Sequence, residues 1–283
     1  IARKQSHAHK LAMILTAAVI ALNDPATKAV AVTTCPSKQE TDVDAIVTGL
    51  KFGNFKNMNF RENIEAWIRL AQTHAIKTAE IKMLTAIGAG SIGVTVAATG
   101  NELGTARNVL ATIARITAQQ RQYNRIDPNF PFRLAFPDWL KQNMYTDLMR
   151  EQPGAAAERL RYAEGELEGF LTALGVNVTW FLDGESGQIY GAQAAGALNG
   201  WASTVVGYLY PEGQWLALDG GSLDFGIVRD STLNSTNDFE IMSEFFENVH
   251  QIHIADSFRL NIDICPSGKT SLPISIDPCT AGS

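Results

Sequence analysis

The chain is 283 residues long, 46% apolar and 18% charged, enough to fill one large core or two modest ones and not the composition of a disordered protein. Its net charge of −6 argues against a dedicated nucleic-acid binder, which usually presents a basic domain. The charge is uneven: residues 1–61 carry eight Lys/Arg against four Asp/Glu, a net +4, while residues 62–283 carry fifteen against twenty-five, a net −10. A basic arm on an acidic body can clamp the body of the next copy or face nucleic acid, and the first reading needs no extra partner.

Residues 1–10 are polar and basic and have nothing to build a core with. Leu11 to Leu22 is an apolar run of 12 residues, short of the ~20 that span a bilayer. Arg3, Lys4 and Lys10 precede it and Ala29-Val30-Ala31 follows, which imitates a secretory signal. The other reading is a short helix that docks its apolar face on another subunit. It is the reading favoured, because the chain begins at Ile1 and not at Met, as if an earlier segment were absent or removed. Asn23-Asp24-Pro25 breaks a helix. Lys28 to Thr34 alternates Ala and Val like a strand, Cys35 to Asp44 is loop-like, and Ala45 to Phe52 places Ile46 and Thr48 at alternate positions as a strand does.

Asn59-Phe60-Arg61-Glu62 has the form of a capping box. From there to about Ile87 no Gly or Pro interrupts, and the run predicts a helix of about 27 residues, ~40 Å long. That is long for a compact domain. Ile64, Trp67, Ile68, Ala71, Ala75, Ala79 and Leu84 fall largely on one stripe, and Gly88 and Gly90 end the helix. Ser91 to Ala98 is β-like. A second helix runs from Thr105 to Gln122 with Ala106, Leu110, Ile113 and Thr117 in register.

Leu134 to Phe136 reads as a short strand, Asp138 to Arg150 and Ala155 to Leu174 as helices, and Val176 to Leu182 as a strand. Asp183 to Ala197 is a Gly- and Ala-rich loop. Trp201 to Leu218 holds strands around a Pro-Glu-Gly turn at 211–213 of hairpin type. Glu240 to Asn248 is open between helix and strand, and Gln251 to Ile264 and Ile274 to Ile276 look like closing strands. Helices and strands alternate irregularly and no repeat is present, so the fold class is α+β.

Several motifs imitate chemistry. Gly88-Ala89-Gly90-Ser91-Ile92-Gly93 matches GxGxxG, but it follows a helix and opens a strand, the reverse of a dinucleotide site, and reads as a helix stop. Gly268-Lys269-Thr270 resembles the end of a P-loop, yet position 263 is Asp263 and Pro273 interrupts any following helix, which leaves a turn. Gly184-Glu185-Ser186-Gly187 is no nucleophile elbow because Gln188 stands where Gly is needed.

His250 and His253 fall on opposite faces of a strand and on one face only of a helix; His7 and His9 could share a side of the arm. His74 packs or touches solvent. Glu164, Glu166 and Glu168, two apart on a helix, read as a solvated acidic face, not as a catalytic carboxylate pair. Trp180, Trp201, Tyr208, Tyr210 and Trp215 read as core. Cys35, Cys265 and Cys279 give neither a disulfide framework nor a zinc pattern, and free thiols in a reducing compartment fit them. No catalytic, cofactor-binding or metal residue is assigned, and no cofactor is implied.

The stretch Leu218 to Glu240, LDGGSLDFGIVRDSTLNSTNDFE, carries Asp219, Asp224, Asp230 and Asp238 but no His, Cys or Lys, so it offers acceptors for holding backbone and not a reactive site. It resembles a segment of the major capsid proteins of tailed phages that infect actinobacteria. Asn54 to Trp67, Phe132 to Gly154, Asn177 to Gly184, Gly191 to Leu198 and Cys265 to Gly268 resemble the same family in order, so the likeness covers roughly Lys28 to Cys279.

The resemblance implies the Hong Kong ninety-seven phage type of fold: an N-terminal arm and extended loop (1–60), a peripheral domain with a long spine helix (61–103), an axial domain (104–235) and a return to the peripheral domain (236–283). It implies hexamers and pentamers closing an icosahedral shell around double-stranded DNA. The partners would be other copies, a portal, a scaffold, decoration proteins and packaged DNA, with no membrane. The location would be the virion capsid, assembled in the bacterial cytoplasm. Some relatives cross-link a Lys to an Asn; no such pair is assigned here. Two other readings remain: an encapsulin-type nanocompartment around an enzyme cargo, and a soluble enzyme suggested only by the Gly-rich loops.

Overall fold

The structure, a computed structural model, describes residues 40–96, 104–151, 167–182, 184, 193–194, 197–198, 202–252 and 255–264. Expectations for the run Leu11 to Leu22, the strand Lys28 to Thr34, residues 155–166, Glu185 to Gly187, Trp201, His253, the three cysteines and everything after Ile264 lie outside them. The chain divides into Ile1–Thr41 and Asp42–Ser283. Of the first unit only Glu40 and Thr41 are described, both exposed; all that follows concerns the second.

Strand β1 (Asp44–Gly53) leads into a six-residue helix, α1 (Asn54–Asn59), and then into the 29-residue α2 (Arg61–Ala89). At 1.5 Å per residue α2 is about 43 Å long. Its length follows from the unbroken run of helix-compatible residues, and it stops at Gly90, where a Cβ would strike the Trp215 ring. The expected capping box does not form. Asn59 closes α1, and Phe60 precedes α2 with no side-chain cap. The reason is the clasp that begins α1 five residues earlier. The Asn54 backbone N–H donates to the Asn237 carbonyl at 2.9 Å, and its side-chain amide donates to the Asn237 side-chain oxygen at 3.0 Å.

The chain folds into two main sheets. One has the order β1, β9 (Asp238–Gln251), β8 (Trp215–Val228), antiparallel throughout. Alternation sends Phe52, Phe239 and Ile241 to one face, where Ile64 and Ile68 of α2 pack on them. The segment open between helix and strand at Glu240 to Asn248 is thus a strand. The acidic, Gly-rich stretch from Leu218 supplies most of β8, irregular in register between Asp219 and Asp224. It ends at α6 (Ser231–Ser235), which Asp230 caps by accepting from the Leu233 N–H at 2.7 Å.

The second sheet has the order β2 (Ile92–Val96), β10 (Phe258–Asp263), β7 (Thr204–Pro211), β3 (Phe132–Pro137), β4 (Val176–Phe181). β3 and β4 are parallel, so the chain must cross over between them; it does so through α4 (Asp138–Glu151) and the helical residues 167–173, α5. On one face Phe132, Leu134, Phe136, Val205, Leu209, Leu260 and Ile262 pack against Ala106, Val109 and Ile113 of α3 (Thr105–Asn124) and against Leu140 and Met144 of α4. The Phe136 ring occupies the space a Cβ would need at Gly207 on the neighbouring strand. On the other face Ala135, Phe181 and Tyr208 meet Leu84 and Ile87 at the far end of α2. A two-stranded ribbon, β5 (Gln193–Ala194) with β6 (Ala197–Leu198), lies in the expected Gly- and Ala-rich loop.

The buried stripe of α2 therefore changes partner along its length. Its first half faces the three-stranded sheet and its last turns face the five-stranded one. Trp67, expected on that stripe, is 46% exposed, because successive residues stand 100° apart and only Ile68 turns to the sheet. The Pro211-Glu212-Gly213 turn is not a hairpin: β7 and β8 belong to different sheets. Fully buried Gln214 fixes this crossing. Its amide donates to the Ala255 carbonyl at 2.7 Å and accepts from the Ala255 N–H at 3.1 Å, tying it to the crossing between β9 and β10. Ser257 adds to the joint: its hydroxyl lies 2.7 Å from that of Ser91 and accepts from the Trp215 indole at 3.2 Å. The sheets also join segments across the expected limits, since β8 pairs with β9 and β10 pairs with β7.

Candidate assembly surface

The residues that imitate chemistry are dispersed. Gly88 and Ala89 belong to α2 and Ile92 opens β2, so the GxGxxG run follows a helix and opens a strand. His74 is exposed on α2, and His250 lies on β9. Glu168 is exposed and lies 3.7 Å from the Lys141 amine. Among the described residues no group of three or more His, Cys, Asp or Glu could hold a metal ion, and no helix is long and apolar enough to cross a membrane. Tyr208 is buried, and Trp180, Tyr210 and Trp215 are partly buried against the core.

Surface charges are paired at strand ends. Arg133 donates to Glu212 at 2.8 Å, and the Asn177 amide donates to the second oxygen of the same carboxylate at 3.2 Å. The Arg133 hydrogen bond holds the Glu212 carboxyl below its ordinary range. Burial pushes the neighbouring Tyr210 hydroxyl up. Asp238 is also held low, first by a hydrogen bond from Thr236 and then by Lys51, 3.2 Å away. These contacts knit strands together; none aims a lone charged group into a cleft.

What stands out is apolar surface. Helix α1 has no buried residue, and Phe55 and Met58 are 70% and 81% exposed. Spaced three apart, they share one face of the helix. Phe60, Trp67 and Leu70 continue the exposure into α2. On the face of the three-stranded sheet away from α2, Val47, Met242 and Val228 are exposed as well. Large exposed apolar surface marks an interaction site. The sequence holds a signal for it, two large apolar residues in the polar hexapeptide NFKNMN, but α1 itself was not expected.

A second feature lies at the other end of α2. Between its last turns and the β8–β9 pair is an open cavity of about 300 Å³. Met83, Ala86, Ala217, Leu218, Phe246 and Val249 line it, together with Asp219 and Glu247. Lys82, also in its lining, is tied to the Asp44 carboxylate at 2.8 Å and to the Glu247 carbonyl at 3.2 Å.

Among solved structures, the chain is similar to one from Mycobacterium phage Che8, with a TM-score of 0.55 at 10% identity over 91% of this chain and 82% of that one. It is also similar to a chain from the capsid of Myoviridae phage XM1, with a TM-score of 0.50 at 12% identity over 77% of this chain and 73% of the other. No protein-family model and no curated protein sequence matches it. At such identities the likeness is one of fold: the α+β architecture of this chain is a phage capsid fold.

Proposed function

We propose that this chain is the major capsid protein of a tailed phage whose host is an actinobacterium. Copies assemble as hexamers and pentamers into an icosahedral shell around double-stranded DNA, and the role is structural, not catalytic. The observation that carries this reading is the fold, matched over 91% of the chain by a chain from a Mycobacterium phage. The exposed Phe55, Met58 and Trp67 support it, because a lone copy leaves them in water.

In this reading α2 is the spine. The peripheral domain is α2 with the three-stranded sheet, and the axial domain is the five-stranded sheet with α3 and α4. This assignment redraws the division at 61–103, 104–235 and 236–283 along the hydrogen-bonded strands. The basic arm ahead of β1 clamps a neighbouring copy, and a portal, a scaffold and decoration proteins complete the particle in the bacterial cytoplasm.

The test is to express the chain and examine it by electron microscopy and light scattering. Closed particles that protect double-stranded DNA, made with the phage's packaging proteins present, are the expected result. Particles enclosing a protein cargo and no DNA would favour a nanocompartment shell. A monomer at every concentration would overturn both.

A further inference from the structure

The two ends of α2 carry complementary features. At its start, Phe55 and Met58 project from one face of α1, with Lys56 beside Phe55, all three exposed. At its end lies the largely apolar cavity, whose lining also includes Asp219, Glu247 and Lys82, the last paired with the Asp44 carboxylate. Arg61 and Met83 are about 33 Å apart along the helix at 1.5 Å per residue. A continuous helix cannot fold back, so the projection of one chain cannot reach its own cavity. A second copy can supply it.

We propose that Phe55 and Met58 of one copy insert into the cavity beside Met83, Leu218 and Phe246 of the next, with Lys56 placed against Asp219 and Glu247. The proposal rests on the shell-forming reading and deepens it by naming the contact. Size, apolar character and charge match: the cavity is small, at the low end of ligand-pocket volumes, and with Lys82 neutralised by Asp44 the acids Asp219 and Glu247 leave its lining net negative. The contact is head-to-tail, since the two surfaces differ. Contacts of this kind close into rings when the rotation between copies allows, and otherwise extend into filaments. A ring of six or five copies needs such a contact.

Two variants test it. Phe55→Asp with Met58→Asp removes the projection. Ala217→Trp, at an exposed position lining the cavity, fills it. Neither alters a buried residue, and a thermal melt matching that of the parent chain confirms folding. Each variant alone should assemble only at a protein concentration at least about tenfold higher, because a charge or a bulky ring then opposes burial. Mixed together, the two retain one intact contact and should give a dimer of one copy of each and nothing larger.

Either variant assembling at the parent's concentration, or a mixture that yields no dimer, overturns the contact. If the parent makes closed particles and so do both variants, the contact is wrong while the shell reading stands. If the parent makes only open chains that both variants abolish, the contact stands and the shell reading falls.

Discussion

Asp147, on α4, accepts a hydrogen bond at 2.9 Å from the backbone N–H of Ala106, 41 residues earlier, and so caps α3. Both residues are buried, and the cap places a carboxylate at the positive end of the helix. Gly104, at φ 102°, turns the chain in under the Asp147 carboxyl, where a Cβ would have no room. Replacing Asp147 with Ala should cost about 1–2 kcal/mol, the usual worth of an N-cap. Urea unfolding of dissociated chains will show it as a lower midpoint with an unchanged slope.

Neighbouring positions on α2 should behave differently. Ile68→Asp puts an unpaired charge against Phe52 and Phe239 and should both lower the melting temperature and block assembly. Trp67→Asp, on exposed surface, should leave the melting temperature within a degree or two of the parent while weakening assembly. Normal particles from Ile68→Asp would contradict the packing of α2 described above.

The Gln214 clasp predicts a stability loss confined to one side chain. Gln214→Ala removes two hydrogen bonds and leaves the N–H and carbonyl of Ala255 unsatisfied, a cost of roughly 2–4 kcal/mol. Hydrogen exchange should show faster opening at Ile252 and Ala255 than in α3.

Deleting residues 1–25 should leave the body folded and the particles weaker, because the arm's basic charge is lost from contacts with an acidic body. The measurement is the denaturant concentration at which particles dissociate. Unchanged particles would refute the clamp.

Acid should release the Arg133–Glu212 pair. The Glu212 carboxyl is held low in the folded chain, so its contribution is complete above the ordinary carboxylate range and disappears as the pH falls through the folded value. Both side chains are over a third exposed, which limits the effect to less than about 1 kcal/mol. Glu212→Gln should be slightly less stable than the parent at neutral pH and equal to it once the parent's carboxyl is protonated.

Local signals in the sequence located what is locally determined. The Gly- and Pro-free run gave α2, and the spacing of Ala106, Ile113 and Thr117 gave α3 with its buried face. Partners far along the chain decided the rest. The Asp- and Gly-rich residues from Leu218 form a strand because β9 pairs with them, and Asn54 starts a helix because Asn237 holds it. The same holds for the assembly surface. Periodicity grouped Trp67 with Ile68, and only the position of the sheet separates the exposed residue from the covered one.

Helix α2 grips one sheet with Ile64 and Ile68 and the other with Leu84 and Ile87. Internal pressure that pushed on either sheet would be carried as axial load through about 43 Å of continuous hydrogen-bonded backbone. The helix is thus a strut, and a wall built from such copies would stiffen through its rods while the crossings between the sheets, held at Gln214 and Ser257, set where it can flex.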